Sequence, residues 1–431
     1  MSMQKKSVAL GLSLIACGLL AGCGGSKKET SIPEVKVACV NVQPTLDHTN
    51  GYDGWQVVRF GIGQTVVKYT DDCKVIPWLC DYEGNIFTVK EGVKFTDGSP
   101  VTAKDICASF DNICQKLPRA KHMMRNSSWK VIDDKHFEYK GNIDILTEPA
   151  FVIFKNGLYT GGIIESHDPN KSVIMRNGKR YIFNRVNDPT VRGMAFKKGE
   201  VDIALDVPRA YYNENVQEIK GLRTIRSIMN VRPNRVLNDI SIRKALVYSL
   251  NIEDWEKPLQ GIVKPGRAYS PITKSIYKYD LDKAKALIAG RNVTLDLYYC
   301  GGTRQELQTI AESTQSQAAL VGINIKLNNV AYERLVEVAN KGQYDLLLSS
   351  ATNIQSGSVE NFFRMNFGTG YHENGTGYSN PEFDNAKTYQ EMQDIIDRDC
   401  LAVVYGYPVR NVVSKQKIGK LGPIDFYYPE F

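Results

Sequence analysis

A mixed α/β fold of more than one domain is what this sequence predicts, and three observations predict it. Amphipathic helical stretches and short alternating strands follow one another along the chain, with no internal repeat and no low-complexity tract. The 431 residues, 42% of them hydrophobic, suffice for two or three domains, each with a buried core. Turn signals such as "TDGSP", Thr96 to Pro100, punctuate the apolar runs.

The elements follow in order. Met1 to Gly22 carries Lys5 and Lys6 and then fifteen mostly apolar residues from Val8, fewer than the roughly 20 a spanning helix needs, so it reads as a secretory signal. Cys23 closes it in the pattern Leu-Ala-Gly-Cys, ahead of the polar "GGSKKETSIPE". "VKVACV" (Val35 to Val40) alternates as a strand, and "GQTVVKYT" reads as a helix end or a strand. "NIFTVKEGVKF" is a strand before the turn, and Thr102 is the expected N-cap of a helix that lines up Ile106, Phe110, Ile113 and Leu117. "SWKVIDDKHFEYKG" gives two strands about an Asp-Asp turn. "DPTVRGMAFKKGEVDIALDVP" is a helix with a left-handed cap at Gly199, then a strand. Three amphipathic helices follow, the last of which runs through Gly322 into a strand.

Composition excludes several functions. Without Met1 to Gly22 and its two lysines, 52 basic residues face 47 acidic ones, a net of +5 over 409 residues, too dilute for a nucleic-acid surface. Beyond Cys17 and Cys23 there are seven cysteines, an odd number with no C-x-x-C, and the five histidines lack metal-ligand spacing. Cys107 and Cys114 share one helix face and read as small buried hydrophobes. No G-x-S-x-G, H-E-x-x-H or S-x-x-K with partners occurs, "GIVKPGRA" lacks the P-loop lysine, and "GIGQTV" lacks the last glycine of a dinucleotide loop. These absences count against an extracytoplasmic enzyme.

Five stretches in sequence, "EGVKFTDGSPVTAKDI", "DPTVRGMAFKKGEVDI", "LNDISIRKALVYSLN", "YDLDKAKALI" and "GYSNPEFDNA", resemble the signatures of the family 5 extracellular solute-binding proteins. Those are the peptide, nickel and metallophore receptors of ABC importers. The resemblance covers nearly all of the chain after Cys23. It implies a two-lobed periplasmic-binding-protein fold of the class II type, closing by hinge motion on a ligand and docking on a permease. The expected division is a signal at 1–22, a tether at 23–35, a first lobe at 36–65, 158–235 and 401–431, a reduced inserted domain at 66–157, and a second lobe at 236–400. Leu-Ala-Gly-Cys resembles the bacterial lipoprotein signal, which makes Cys23 the lipidated N-terminus of a membrane-anchored, extracytoplasmic monomer. An ordinary signal peptide with an incidental cysteine is the alternative.

The candidate ligand-binding residues fall in three places. In "NGYDGWQVVRFGIGQT", where the resemblance puts the meeting of first lobe and cleft, Tyr52 and Trp55 can stack on a ligand and Arg59 can pair with a carboxylate. Read alone, Trp55 serves equally as a core residue and Arg59 as a cap. "KLPRAKHMMRNSSW" gathers Arg119, Lys121, His122, Arg125 and Trp129, and the resemblance to the nickel branch makes Arg119 the residue that holds a chelate carboxylate. In "ENFFRMNFGTGYHENG" it points to Arg364 and His372, the imidazole suiting a nickel chelate.

Two departures from the family pattern matter. Peptide receptors place an aspartate after the strand matched by "YDLLLSS", whereas this chain has "ATNIQSGSVENFF". The inserted domain is shortened to "TEPAFVIFKNG" where nickel receptors supply another arginine, leaving Lys155 as a substitute charge. The expected cargo is thus a small carboxylate-bearing ligand, a nickel chelate, a metallophore or a short peptide, with no resident cofactor. A degenerate family member acting as a surface scaffold without a transport ligand is the alternative, and an extracytoplasmic hydrolase the less favoured one.

Overall fold

The structure, a computed structural model, describes residues 32–40, 44–70, 74–212, 215–220, 223–256, 263–265, 277–302, 304–352, 359–371 and 373–419. Cys23 and the tether up to residue 31 lie outside them. No helix among the described residues is long and apolar enough to cross a membrane. Residues from Pro33 onward form one compact unit.

Its backbone is a twelve-stranded mixed sheet that runs through both lobes of the α/β fold. At the first-lobe end, Glu34–Cys39 pairs in parallel with Lys179–Arg185 and with Ile203–Leu205, and Lys171–Arg176 and Ile163–Asp168 extend the edge. At the second-lobe end, Val293–Tyr299 lies parallel to both Ile323–Asn329 and Leu346–Thr352. The helix Gln305–Ala319 makes the crossover between the first two.

A long strand joins the halves. The strand Ala402–Ser414 pairs first with Arg223–Met229 (Ala402 against Ile228) and later with Val216–Lys220 and Ile203–Leu205 (Val413 against Val216, Ser414 against Ile203). Midway it contains Gly406, whose φ of +147° lies outside the range side chains favour. Val216–Lys220 pairs on the first-lobe side of this strand and Arg223–Met229 on the second-lobe side. Residues 223–229, expected in the first lobe, therefore belong to the second-lobe half, because Arg223–Met229 pairs with Leu346–Thr352. Residue pattern reveals a strand but not its partner.

A separate four-stranded antiparallel sheet of Cys80–Glu83, Ile86–Val89, His136–Lys140 and Ser128–Val131 carries the helices Ala103–Lys116 and Pro118–Met123. It has its own core, built from Phe87, Phe110, Ile113, Phe137 and Phe151 among others between Val66 and Ile153. Local chemistry sets its elements as the residues suggest. Thr102 and Asp105 form a reciprocal capping box at the helix start, and Gly199, φ +81°, closes Pro189–Lys198. Six cysteines are described: Cys80, Cys107, Cys114, Cys300 and Cys400 are free thiols, Cys39 Sγ donates to the Asn184 carbonyl, and Cys39, Cys80, Cys107 and Cys400 are buried.

Candidate functional site: a cationic cleft between the lobes

A cavity of about 1070 Å³ opens between the lobes. The first lobe lines it with Tyr52, Trp55, Arg59, Arg185 and Arg410 among others, and the second with Arg223, Arg226, Arg304, Tyr332 and Glu373. Six arginines face four acidic residues in this lining, which makes the space cationic. Two of the acids are already engaged. Asp206 receives both Nε and Nη2 of Arg410, and Asp53 accepts from Thr45 and Asn50.

The first-lobe wall is built on the short helix Gly54–Arg59. Gly54 lets that helix approach the Pro149–Phe151 turn, since a Cβ there would stand 2.7 Å from the Pro149 carbonyl oxygen. The approach brings Trp55 Nε1 within 2.9 Å of Glu148 Oε1, which also receives Arg119 Nη1 at 2.7 Å. Arg119 and Glu148 are both nearly sealed from solvent, 9% and 3% exposed. Burial pulls the guanidinium down, but Glu148 and the Tyr52 phenol outweigh it and hold Arg119 above the ordinary arginine range. The Arg119 guanidinium also lies 4.6 Å from the Tyr52 ring centroid, and Tyr52 meets Trp55 edge-on at 5.7 Å.

Among the sequence-predicted residues, then, Tyr52, Trp55 and Arg59 line the cavity together, with the Arg59 guanidinium 5.7 Å from the Trp55 ring. Arg119 stands behind this wall. Its charge is met by a carboxylate of the protein, so it orders Tyr52 and Trp55 and does not itself front the cavity. Trp129 lies apart, on the separate four-stranded sheet, where Nε1 donates to Asp111 and the ring packs against Phe110. Arg364 is placed elsewhere too: its guanidinium donates to the carbonyls of Asp384 and Ala386 at the end of the helix Pro381–Asn385. Lys155 pairs with Asp105 at 2.9 Å, away from the cavity. His372 lies outside the described residues.

The lobes also touch beside the cavity. Arg125 donates to the Tyr371 hydroxyl with its guanidinium 5.0 Å from that ring, and His122 meets the same ring edge-on at 4.8 Å. Asp144, on the first-lobe side, is pushed up to about 6 by burial and by Glu360 of the second lobe. The second-lobe arginines are what residue reading missed. The signal available was "LRTIRSIMNV", where Arg226 stands between Ile225 and Ile228.

The comparisons with known proteins follow this geometry. Residues 163–374 match the sequence model described as bacterial extracellular solute-binding proteins, family 5 Middle. The chain belongs to that family. It is 24% identical over 345 residues to the nickel-binding periplasmic protein of Escherichia coli (strain K12), covering 61% of this chain and 65% of the relative's length. In structure it is similar to NikA of Staphylococcus aureus, crystallised with Ni(L-His)2, at a TM-score of 0.76 and 18% identity over 91% of this chain and 97% of that one. The Escherichia coli murein tripeptide binding protein MppA matches at a TM-score of 0.77 and 16% identity over 92% and 97%. At such identities the structural likeness establishes the two-lobed fold, while cargo depends on the side chains in the cleft.

Proposed function

We propose that this family 5 chain captures a small carboxylate-bearing ligand in its interlobe cleft and delivers it to the permease of an ABC importer. The observation that carries this reading is the cavity of about 1070 Å³ between the lobes, walled by Tyr52 and Trp55 and by six arginines. A nickel chelate or metallophore and a short peptide are the two cargo classes in keeping with its relatives. Nothing in the lining arrangement calls for turnover: the protein works as a receptor, with residues 66–157 as a domain inserted into the first lobe. Cys23 serves as a lipid anchor that keeps a monomeric receptor at the outer face of the membrane, where its permease sits.

The test is thermal unfolding of the full chain against nickel with free histidine, and against a pool of di- to pentapeptides. Ligand at 100 times its dissociation constant adds about 2.7 kcal/mol and raises the midpoint. A response to the chelate alone assigns the metal branch, and a response to peptides alone assigns the peptide branch. No response to either sinks the receptor reading. The anchor is checked separately by whether Cys23→Ser abolishes radiolabelled palmitate incorporation and releases the protein from membranes.

A further inference from the structure

The second-lobe wall of the cleft carries a charge that no described residue neutralises. Arg226, on the strand Arg223–Met229, is 3% exposed and lines the cavity. Its guanidinium lies 4.6 Å from the Phe362 ring centroid, and Nη2 donates to Asn366 Oδ1 at 3.0 Å. Asn366 is oriented for this, because its own Nδ2 donates to the Phe362 carbonyl at 2.8 Å. Nε and Nη1 of Arg226 have no acceptor among the described residues. A guanidinium offers five donors, and one amide oxygen cannot satisfy them.

The neighbours Arg223 and Arg304 are also cations, Arg304 with Glu306 Oε1 3.8 Å away. Arg223 Nη1 donates to the Ser350 carbonyl at 2.8 Å and to its hydroxyl at 3.1 Å, and Arg304 Nη1 reaches that hydroxyl at 3.3 Å. Ser350 thus ties two more cavity-lining arginines to the strand next to Arg226. Burial first, and Arg223 second, pull the Arg226 guanidinium down to about 10, which still leaves it charged at neutral pH. A buried cation with one neutral acceptor and a like-charged neighbour opposes folding. Such an arrangement is favourable only when an anion from outside completes it.

We propose that Arg226, flanked by Arg223 and Arg304, receives a carboxylate of the ligand on the second-lobe wall, so that the cleft selects small molecules with at least two carboxylates, one facing each lobe. This rests on the receptor reading above and narrows its substrate class. The facing wall supplies Arg59 and Arg185. Between two cationic walls, a ligand with two carboxylates also removes the repulsion that resists closure, so binding and closing are coupled by charge.

The experiment compares the full chain with Arg226→Met and Arg226→Lys. Citrate, nickel with citrate, inorganic phosphate, nickel with free histidine and the peptide pool serve as probes, with unfolding midpoint and calorimetric affinity as readouts. Citrate, alone or with nickel, is expected to stabilise the parent chain. Arg226→Met should weaken that affinity at least tenfold while raising the unliganded midpoint, which separates lost binding from lost fold, and Arg226→Lys should keep part of the affinity. Citrate affinity unchanged by Arg226→Met overturns the inference, as does phosphate binding more tightly than citrate. Stabilisation of parent and Arg226→Met alike by nickel-histidine or peptides, with none by citrate, removes this inference and leaves the receptor function standing. No shift with any probe removes both.

Discussion

The two walls of the cleft each bury an arginine, and they treat it in opposite ways. Arg119 on the first-lobe side meets Glu148 at 2.7 Å and sits over the Tyr52 ring, so its charge is answered from within. Arg226 on the second-lobe side has one amide oxygen and an aromatic face. Both are almost inaccessible, at 9% and 3% exposure, so burial does not distinguish them. What differs is the carboxylate. A buried cation with its own counterion is part of the architecture, whereas one without it defines a place for something else.

The largest effect should come from breaking the satisfied pair. Glu148→Ala leaves Arg119 charged and unpaired and takes the acceptor from Trp55, so stability should fall by about 3–5 kcal/mol in urea unfolding. A loss under about 1 kcal/mol would mean that Arg119 is not held by Glu148 in solution. The converse change should stabilise: Arg226→Met removes an unanswered charge and should raise unfolding free energy by about 1 kcal/mol or more. Were it destabilising instead, the contrast between the walls would collapse.

A smaller effect, legible through pH, concerns the seam between the lobes. The Asp144 carboxyl is held at about 6 against an ordinary value of 3.8, first by burial and then by Glu360 across the seam. Its protonated form therefore favours the folded, apposed lobes. That contribution is complete below the unfolded value of 3.8, is lost progressively as pH rises toward 6, and is gone above it. Asp144→Asn should flatten the stability profile in this window and exceed the parent above pH 6, read by denaturation midpoints at several pH values. The smallest change is expected from Tyr371→Phe, which removes only the hydroxyl that Arg125 reaches and should alter stability by about 1 kcal/mol or less. A larger change would make that contact a principal tie between the lobes.

Much of the fold was legible because local chemistry announces it. The Thr102 capping box, the left-handed Gly199 and the paired strands about Asp133 and Asp134 need only neighbours in sequence. The first-lobe wall was legible for a similar reason: Tyr52, Trp55 and Arg59 lie within eight residues, on one short helix and the turn before it. The second-lobe wall was not, since Arg223, Arg226 and Arg304 come together only when Arg223–Met229 takes its place beside Leu346–Thr352. Trp129 and Arg364 mark the opposite error. A basic or aromatic residue near a helix end satisfies carbonyls or carboxylates nearby as readily as it faces a cleft, and Asp111 and the Asp384 and Ala386 carbonyls claimed these two. The same competition explains Arg119, whose partner, Glu148, is twenty-nine residues away.

The strand Ala402–Ser414 carries a consequence for how this molecule is made. It completes hydrogen-bond ladders in both lobes, yet it is synthesised after every strand it joins, and its Val412 to Ser414 come more than two hundred residues behind their partners Ile203–Leu205. While only residues up to 401 have emerged, the edges of Ile203–Leu205 and Arg223–Met229 that this strand covers stay open. Native pairing of this kind is dominated by distant contacts and is slow, and exposed edges invite aggregation in the interval. A nascent chain of this design gains from being kept unfolded until that strand has emerged, and one cut short before Ala402 leaves an edge bare in each lobe.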